Sequence, residues 1–251
     1  MPLPTVDQFY SQLDHAFTRA CETGAQHAGP PTSSLLLAIG PFLARVRCTS
    51  WALHERLRRP LAHLQVLASQ RLPDFTIDLI DGRASACEDL ALPWPAQRIS
   101  PEQDTCEYQD GPYLFTLHGN VVLTGVHYPT NRTVGCVRDP LDWPLEHYKQ
   151  AIFITFYQHL RRRGLHLVHA SAIGRTGKVM LIAGSSGAGK TTTMLTCVRA
   201  GFEFLGDDTT LVQSAPGDGV QAVSLLNTVN VTDQTLAWFP ELVPHLSDKT
   251  N

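Results

Sequence analysis

The chain has 251 residues, of which 43% are hydrophobic and 17% charged, and its formal net charge is −3 at pH 7. That length buries a core in one large domain or two small ones, and the composition excludes a disordered chain. A mildly acidic balance without a basic face excludes nucleic acid as the main partner, and no run of about 18 apolar residues is present to span a membrane.

The N-terminus, MPLPTVDQFYSQLDHAF, has neither a positive start nor a continuous apolar core, so it does not read as a secretory signal. Cysteines stand at 21, 48, 87, 106, 136 and 197, with irregular spacing and no C-x-x-C pair. Reduced thiols in a cytoplasmic protein are expected, rather than a zinc site or a disulfide framework. Residues 22–34 (ETGAQHAGPPTSS) read as a loop, punctuated by glycine and Pro30-Pro31. Leu35 to Ile39 is an apolar run. Phe75 to Ile80 alternates through Phe75, Ile77 and Leu79, as a half-buried strand does. Residues 91–112 carry Pro93, Pro95, Pro101 and Pro112, which fits either a proline-rich connection or a ragged edge within a domain. Residues 113–126 (YLFTLHGNVVLTGV) place two β-prone runs around Gly119-Asn120, a hairpin signal. The first half of the chain is therefore expected to be mixed, with several short strands and no internal repeat.

The strongest helix signal runs from Leu145 to Arg163. Leu145, Tyr148, Ile152, Phe153, Phe156, Tyr157 and Leu160 fall on one face. Asp142 and Pro144 suit its start, and Gly164 suits its stop. Arg161 to Arg163 fit the C-terminal dipole and read as a solvated helix end rather than a phosphate site. Beyond Gly164 come the short apolar runs LHLVHASAIG and KVMLIAG around the turn Arg175-Thr176-Gly177. A helix over 190–200 follows, ended by Gly201, then the strand FEFLG, Asp207-Asp208, and TTLVQ. Strand, loop, helix, strand is the setting of a phosphate-loop fold. A short helix from Thr232 to Phe239, capped by Thr232 or Asp233, is expected near the end.

Gly184-Ser185-Ser186-Gly187-Ala188-Gly189-Lys190-Thr191 matches G-x-x-x-x-G-K-[ST] in full, with an apolar strand before it and a helix after it. In that motif glycines let successive N–H groups point inward at phosphate oxygens, and the helix N-terminus adds its positive end. Lys190 is expected on the β- and γ-phosphates, the Thr191 hydroxyl on Mg²⁺, and Thr192 beside the phosphates in the first turn. The sequence thus predicts binding of a nucleoside triphosphate with Mg²⁺. Asp207 and Asp208 end the next strand, where carboxylates can face the γ-phosphate and one of two like charges can serve as a base. An ordinary acidic turn is the plainer alternative. His169 ends the strand LHLVH, and is either structural or a proton donor near the phosphates.

The stretch VHASAIGRTGKVMLIAGSSGAGKTTTMLTCVRAGFEFLGDD resembles the catalytic core of HPr kinase/phosphorylase, and more closely the HPr-kinase-like serine kinases encoded beside bacterial peptide-modification genes. The shared features are His169 on the strand before the loop, Gly184 to Thr191, and Gly201-Phe202 through Asp207-Asp208. The resemblance covers about residues 140–212 and the N-terminal half only in outline. It implies an α/β fold with a mixed sheet, a phosphoenolpyruvate-carboxykinase-type kinase core over 113–251, and a small α+β domain over 1–112 for substrate or partner recognition. It implies that Lys190 binds phosphate and Thr191 binds Mg²⁺. It further implies that Asp207 takes the acceptor proton, that Asp208 lies near the metal, and that His169 belongs to the site. Two departures stand out: the family's downstream Glu-containing glycine motif is not found, and 43 residues follow Asp208. A reduced C-terminal part, or a homo-oligomer or partner subunit that supplies the missing wall, is expected.

The leading expectation is an ATP-dependent phosphotransferase acting on a hydroxyl, with serine or threonine of a peptide or protein as acceptor. The same core could serve a small-molecule kinase, because acceptor choice lies in loops outside the motif. A nucleotide-binding accessory protein with little turnover is the alternative from a different class.

Overall fold

A computed structural model of the chain describes residues 3–24, 33–84, 90–100, 104–142, 145–217 and 219–246. Most of the expected loop 22–34, Cys87, Pro101 and Pro144 lie outside these residues. The architecture is mixed α/β, with a large mixed sheet. The chain divides into two compact units, residues 1–155 and 156–251.

The first unit is built on eight strands: β1 Ser33–Ile39, β2 Phe42–Cys48, β3 Phe75–Asp81, β4 Gln97–Ser100, β5 Thr105–Asp110, β6 Tyr113–His118, β7 Val122–His127 and β8 Arg132–Val137. Their order in the sheet is β1-β2-β3-β8-β7-β6-β5-β4. β3 runs parallel to both neighbours, β2 and β8, while the remaining pairs are antiparallel. This central position explains a departure from expectation. The alternation of Phe75, Ile77 and Leu79 suggests one wet face, yet from Ile77 to Asp81 every side chain is buried, as parallel strands in a sheet interior are. The hairpin signal at 113–126 is realised as β6 and β7, with Gly119 at φ 52° in the turn. The proline-rich stretch is a ragged sheet edge: β4 and β5 lie within it, and Trp94 stacks on Tyr108 at 4.7 Å. The expected division after residue 112 therefore differs from the compact units. β6 and β7 are hydrogen-bonded between β5 and β8, which keeps 113–137 in the first unit.

Helix α1, Val6–Gly24, begins in a reciprocal cap. The Gln8 N–H donates to Thr5 Oγ1 at 3.2 Å and the Thr5 N–H donates to Gln8 Oε1 at 3.0 Å, satisfying two otherwise orphaned donors. Its Tyr10, Leu13 and Phe17 enter the core with Tyr113, Phe115, Leu123 and Val134. Helix α2, Trp51–Leu61, is capped by Ser50, whose Oγ accepts from the Leu53 N–H at 3.2 Å.

Helix α3, Leu145–Leu160, runs across the boundary between the units. Ile152, Phe153, Phe156 and Leu160 are buried, as its periodicity predicts. A 3-10 turn over Arg161–Arg163 ends it, and Gly164 takes the left-handed conformation at φ 84°. Burial pushes the His159 imidazole from its ordinary 6.5 down to about 3, and the Arg163 charge acts in the same direction. The folded state keeps His159 neutral, whereas the unfolded chain binds a proton below about pH 6.5. Stability present above pH 6.5 is therefore lost as the pH falls from 6.5 towards 3, by up to about 1.4 kcal/mol per pH unit. His159→Phe is expected to flatten this slope in urea-unfolding midpoints measured from pH 7 to 4. An unchanged slope would remove His159 as its source.

Among the described residues the second unit holds two three-stranded sheets. One has the order β11-β10-β12, from β10 Ala170–Arg175, β11 Lys178–Ala183 and β12 Glu203–Gly206; the other has the order β14-β13-β9, from β9 His166–Val168, β13 Thr210–Ala215 and β14 Gly219–Val223. Helix α4, Lys190–Arg199, packs on the first sheet through Met194 and Leu195, together with Ile173 and Phe239. β11 is an edge strand with Val179, Met180 and Leu181 exposed. Helix α5, Asp233–Trp238, is capped by Thr232, whose hydroxyl accepts from the Thr235 N–H at 3.2 Å. Among the described residues no helix is long and apolar enough to cross a membrane.

Candidate functional site

The apolar run LHLVHASAIG is not one strand. It breaks at His169, between β9 in one sheet and β10 in the other. The chain makes the same exchange again at Asp207-Asp208-Thr209, between β12 and β13. Val168 pairs with Thr210, and Ala172 pairs with Gly206, so the two breaks lie side by side. The Thr210 hydroxyl, donating to Ala170 O at 2.9 Å, stitches them together. This double crossing brings His169 and the acidic pair to one place. A register shift in the β10–β12 ladder immediately precedes it: Ile173 faces Phe204 while Ala172 faces Gly206, leaving Leu205 unpaired in the ladder. Irregularities of this kind re-aim the side chains that follow.

The glycine loop leaves β11 at Ala183 and enters α4 at Lys190. Gly187 (φ 78°) and Gly189 (φ 84°) hold backbone angles that other residues rarely adopt, and Gly189 forms the helix N-cap. The Ala188 N–H closes a turn on Ser185 O at 3.2 Å. Lys190 folds back over the loop, where Nζ donates to Gly184 O at 2.9 Å and to Ser185 O at 3.3 Å. Gly184 to Ala188 are exposed, while Thr191 and Thr192 are half-buried in the first turn of α4.

Asp207 reaches this helix start directly. Thr191 Oγ1 lies 3.1 Å from both Asp207 carboxylate oxygens and donates to them. Ser171 Oγ donates to Asp207 Oδ1 at 2.7 Å, and the backbone N–H of Asn230 donates to Oδ2 at 3.3 Å. Neither Ser171 nor Asn230 is singled out by the sequence. Asn230 arrives on an extended segment whose Val229 and Val231 pack against the core cluster of α4; that in-out-in alternation is the signal that could have found it.

Asp208 faces a different partner. Its Oδ1 is 3.4 Å from His169 Nε2, an ion pair when the imidazole is protonated, and both side chains are more than half exposed, at 51% and 59%. Asp208 sits at φ 65° within a three-residue turn closed by the Thr209 N–H on Asp207 O at 2.7 Å. A non-glycine residue held there stores backbone strain, which concentrates at functional sites.

Every expected site residue, from Gly184 to Thr192 with His169, Asp207 and Asp208, therefore lies in the second unit, and Thr191 contacts Asp207 directly. The oxygen donors Thr191 Oγ1 and Asp207 suit a small hard cation. Among the described residues there is no group of three or more His, Cys, Asp or Glu side chains that could hold a metal alone. Such a pair suits Mg²⁺, which takes one or two protein oxygens plus substrate phosphates. Neither protein-family models nor curated protein sequences match the chain.

Proposed function

We propose that residues 156–251 form a phosphate-loop kinase core of the HPr kinase type, moving the γ-phosphoryl group of ATP to a hydroxyl of a peptide or protein serine or threonine. The observation that carries this reading is the direct contact of Thr191 with Asp207 beside a complete glycine loop, with the His169–Asp208 pair next to it. The loop N–H groups, the α4 N-terminus and Lys190 would bind the triphosphate. Thr191 and Asp207 would hold Mg²⁺, which supplies charge neutralisation at the β- and γ-phosphates.

The hydrogen bonds support exchanging the two aspartate roles implied by the resemblance. Asp207 is held against Thr191, the expected Mg²⁺ ligand, with its oxygens accepting from Ser171, Thr191 and Asn230. Asp208 is open to an incoming hydroxyl and has His169 to stabilise it. In the reaction the acceptor oxygen forms a bond to the γ-phosphorus, the bond to the β–γ bridging oxygen breaks, ADP leaves, and the acceptor proton passes to Asp208.

The test is incubation with γ-labelled ATP, Mg²⁺ and hydroxyl acceptors. Acid-stable label on serine or threonine is expected, and no transfer to any hydroxyl by folded protein would sink the kinase reading. Lys190→Ala is expected to weaken ATP binding by about 100-fold, the scale of losing charge-assisted hydrogen bonds worth about 3 kcal/mol. Calorimetric titration checks it, and an unchanged affinity would remove the loop as the phosphate site. The exposure of β11, the strand that feeds the loop, favours a second reading: a nucleotide-binding accessory protein that turns over only with a partner. ATP binding lost in Lys190→Ala, without phosphate transfer, would select it.

A further inference from the structure

Ser171 is fully buried on β10, two positions beyond His169. The pairing of Ala172 with Gly206 sets it level with Asp207 across the crossing of the two sheets. Its hydroxyl makes the shortest hydrogen bond to that carboxylate, 2.7 Å to Oδ1, against 3.1 Å from Thr191 and 3.3 Å from the Asn230 N–H.

We propose that Ser171 is a positioning residue that fixes the plane of the Asp207 carboxylate for metal binding. The inference rests on the Mg²⁺–nucleotide reading of the site. A carboxylate turns readily about its last torsion, which has no sharp staggered wells, so hydrogen bonds decide its orientation. Thr191 offers one hydrogen shared between both Asp207 oxygens at 3.1 Å, so it does not distinguish them. Asn230, itself exposed, contributes a longer bond. Ser171 alone of the three is both buried and uninvolved with the ligand. Its bond from β10 keeps Oδ1 occupied, while Oδ2 accepts from the Asn230 N–H and lies 3.1 Å from Thr191 Oγ1. Outer partners of this kind orient metal-binding carboxylates, and their loss typically weakens metal affinity 10- to 100-fold.

The test is calorimetric titration of ATP into the full chain, in EDTA and across a Mg²⁺ series, with unfolding midpoints recorded separately. In Ser171→Ala the Mg²⁺ concentration giving half-maximal enhancement of ATP binding is expected to rise about tenfold. Affinity in EDTA should stay at the parent value, because the loop and Lys190 are untouched. A folded Ser171→Ala protein with the parent's Mg²⁺ dependence overturns the proposal. Ser171→Cys keeps the volume and offers a weaker donor. It is expected to give a smaller rise in the same direction, and serves alone if the alanine variant does not fold. An unchanged Mg²⁺ dependence in the cysteine variant would then overturn the proposal. A parent chain whose ATP binding ignores Mg²⁺ overturns the underlying reading, and is recognised before any variant is made.

Discussion

Asp208→Asn is expected to lower phosphate transfer by about 10²- to 10⁴-fold while leaving Mg²⁺-dependent ATP binding within about twofold of the parent, the signature of a lost general base. Asp207→Asn should do the reverse in order of cause: ATP binding stops responding to Mg²⁺, and transfer falls as a consequence. The split follows from the proposed roles. Asp207 touches Thr191, in the first turn of α4, and is held by the buried Ser171. Asp208 touches neither; its neighbour is His169 at 3.4 Å, and half of its side chain meets solvent. Asparagine keeps the shape of the strained turn at φ 65°, since it tolerates that conformation as aspartate does, so the substitution removes charge and basicity rather than the fold. Single-turnover transfer measured beside calorimetric binding separates the two. Should Asp207→Asn abolish transfer with Mg²⁺ coupling intact, and Asp208→Asn do nothing, the assignment reverts to Asp207 as the base.

The glycine loop and the helix it feeds were legible because their pattern is local. A glycine loop needs consecutive residues with particular backbone freedom, then a lysine and a hydroxyl on the first helical turn, and all of that is written in eight neighbouring positions from Gly184 to Thr191. The distant residues that hydrogen-bond the Asp207 carboxylate were not legible. Ser171 stands 36 positions from Asp207 and meets it only because the chain changes sheets twice. A serine on a strand carries no spacing that announces its partner. The break at His169 was equally hidden, since LHLVHASAIG has the apolar character of one strand while its two halves pair in different sheets.

The same distinction divides the first unit. Gly119-Asn120 marked the β6–β7 turn because a hairpin depends on residues adjacent in sequence. The parallel pairing of β3 with β2 and β8 joins segments separated by about 30 and 55 residues, and nothing in Phe75 to Asp81 discloses it. Asp78 is informative in retrospect. A charged residue in the middle of a strand reads as the solvent face of an alternating pattern, which is why half-burial was expected. Its burial is possible only because two arginines arrive from the neighbouring strands.

Those arginines make Asp78→Ala the substitution with the largest expected effect on stability. The carboxylate is fully buried and takes a bidentate grip from Arg47, at 2.6 Å on each oxygen, plus Arg132 Nε at 2.7 Å. Arg47 stands directly opposite it in the β2–β3 ladder, and Arg132 starts β8 on the other side. Arg132 passes the network on to α1 through Asp14 at 2.6 Å, while Tyr10 donates to the Arg132 carbonyl at 3.3 Å. Removing Asp78 leaves two guanidinium groups facing each other without their shared anion, and breaking a buried pair in this way costs about 3–5 kcal/mol. The side chains of Arg47 and Arg132 retain 39% and 26% exposure and can turn partly to water, which places the expected loss near about 3 kcal/mol. Against a typical stability of about 5–15 kcal/mol that is a large share. Chemical denaturation followed by the tryptophan signal checks it, since Trp51 and Trp94 both lie in this unit. The double variant Asp78→Leu with Arg47→Met should recover part of the loss by replacing charge with apolar volume across the β2–β3 ladder. A single Asp78→Ala change below about 1 kcal/mol would mean that the arginines rehydrate freely, and that the sheet centre depends on its apolar packing alone.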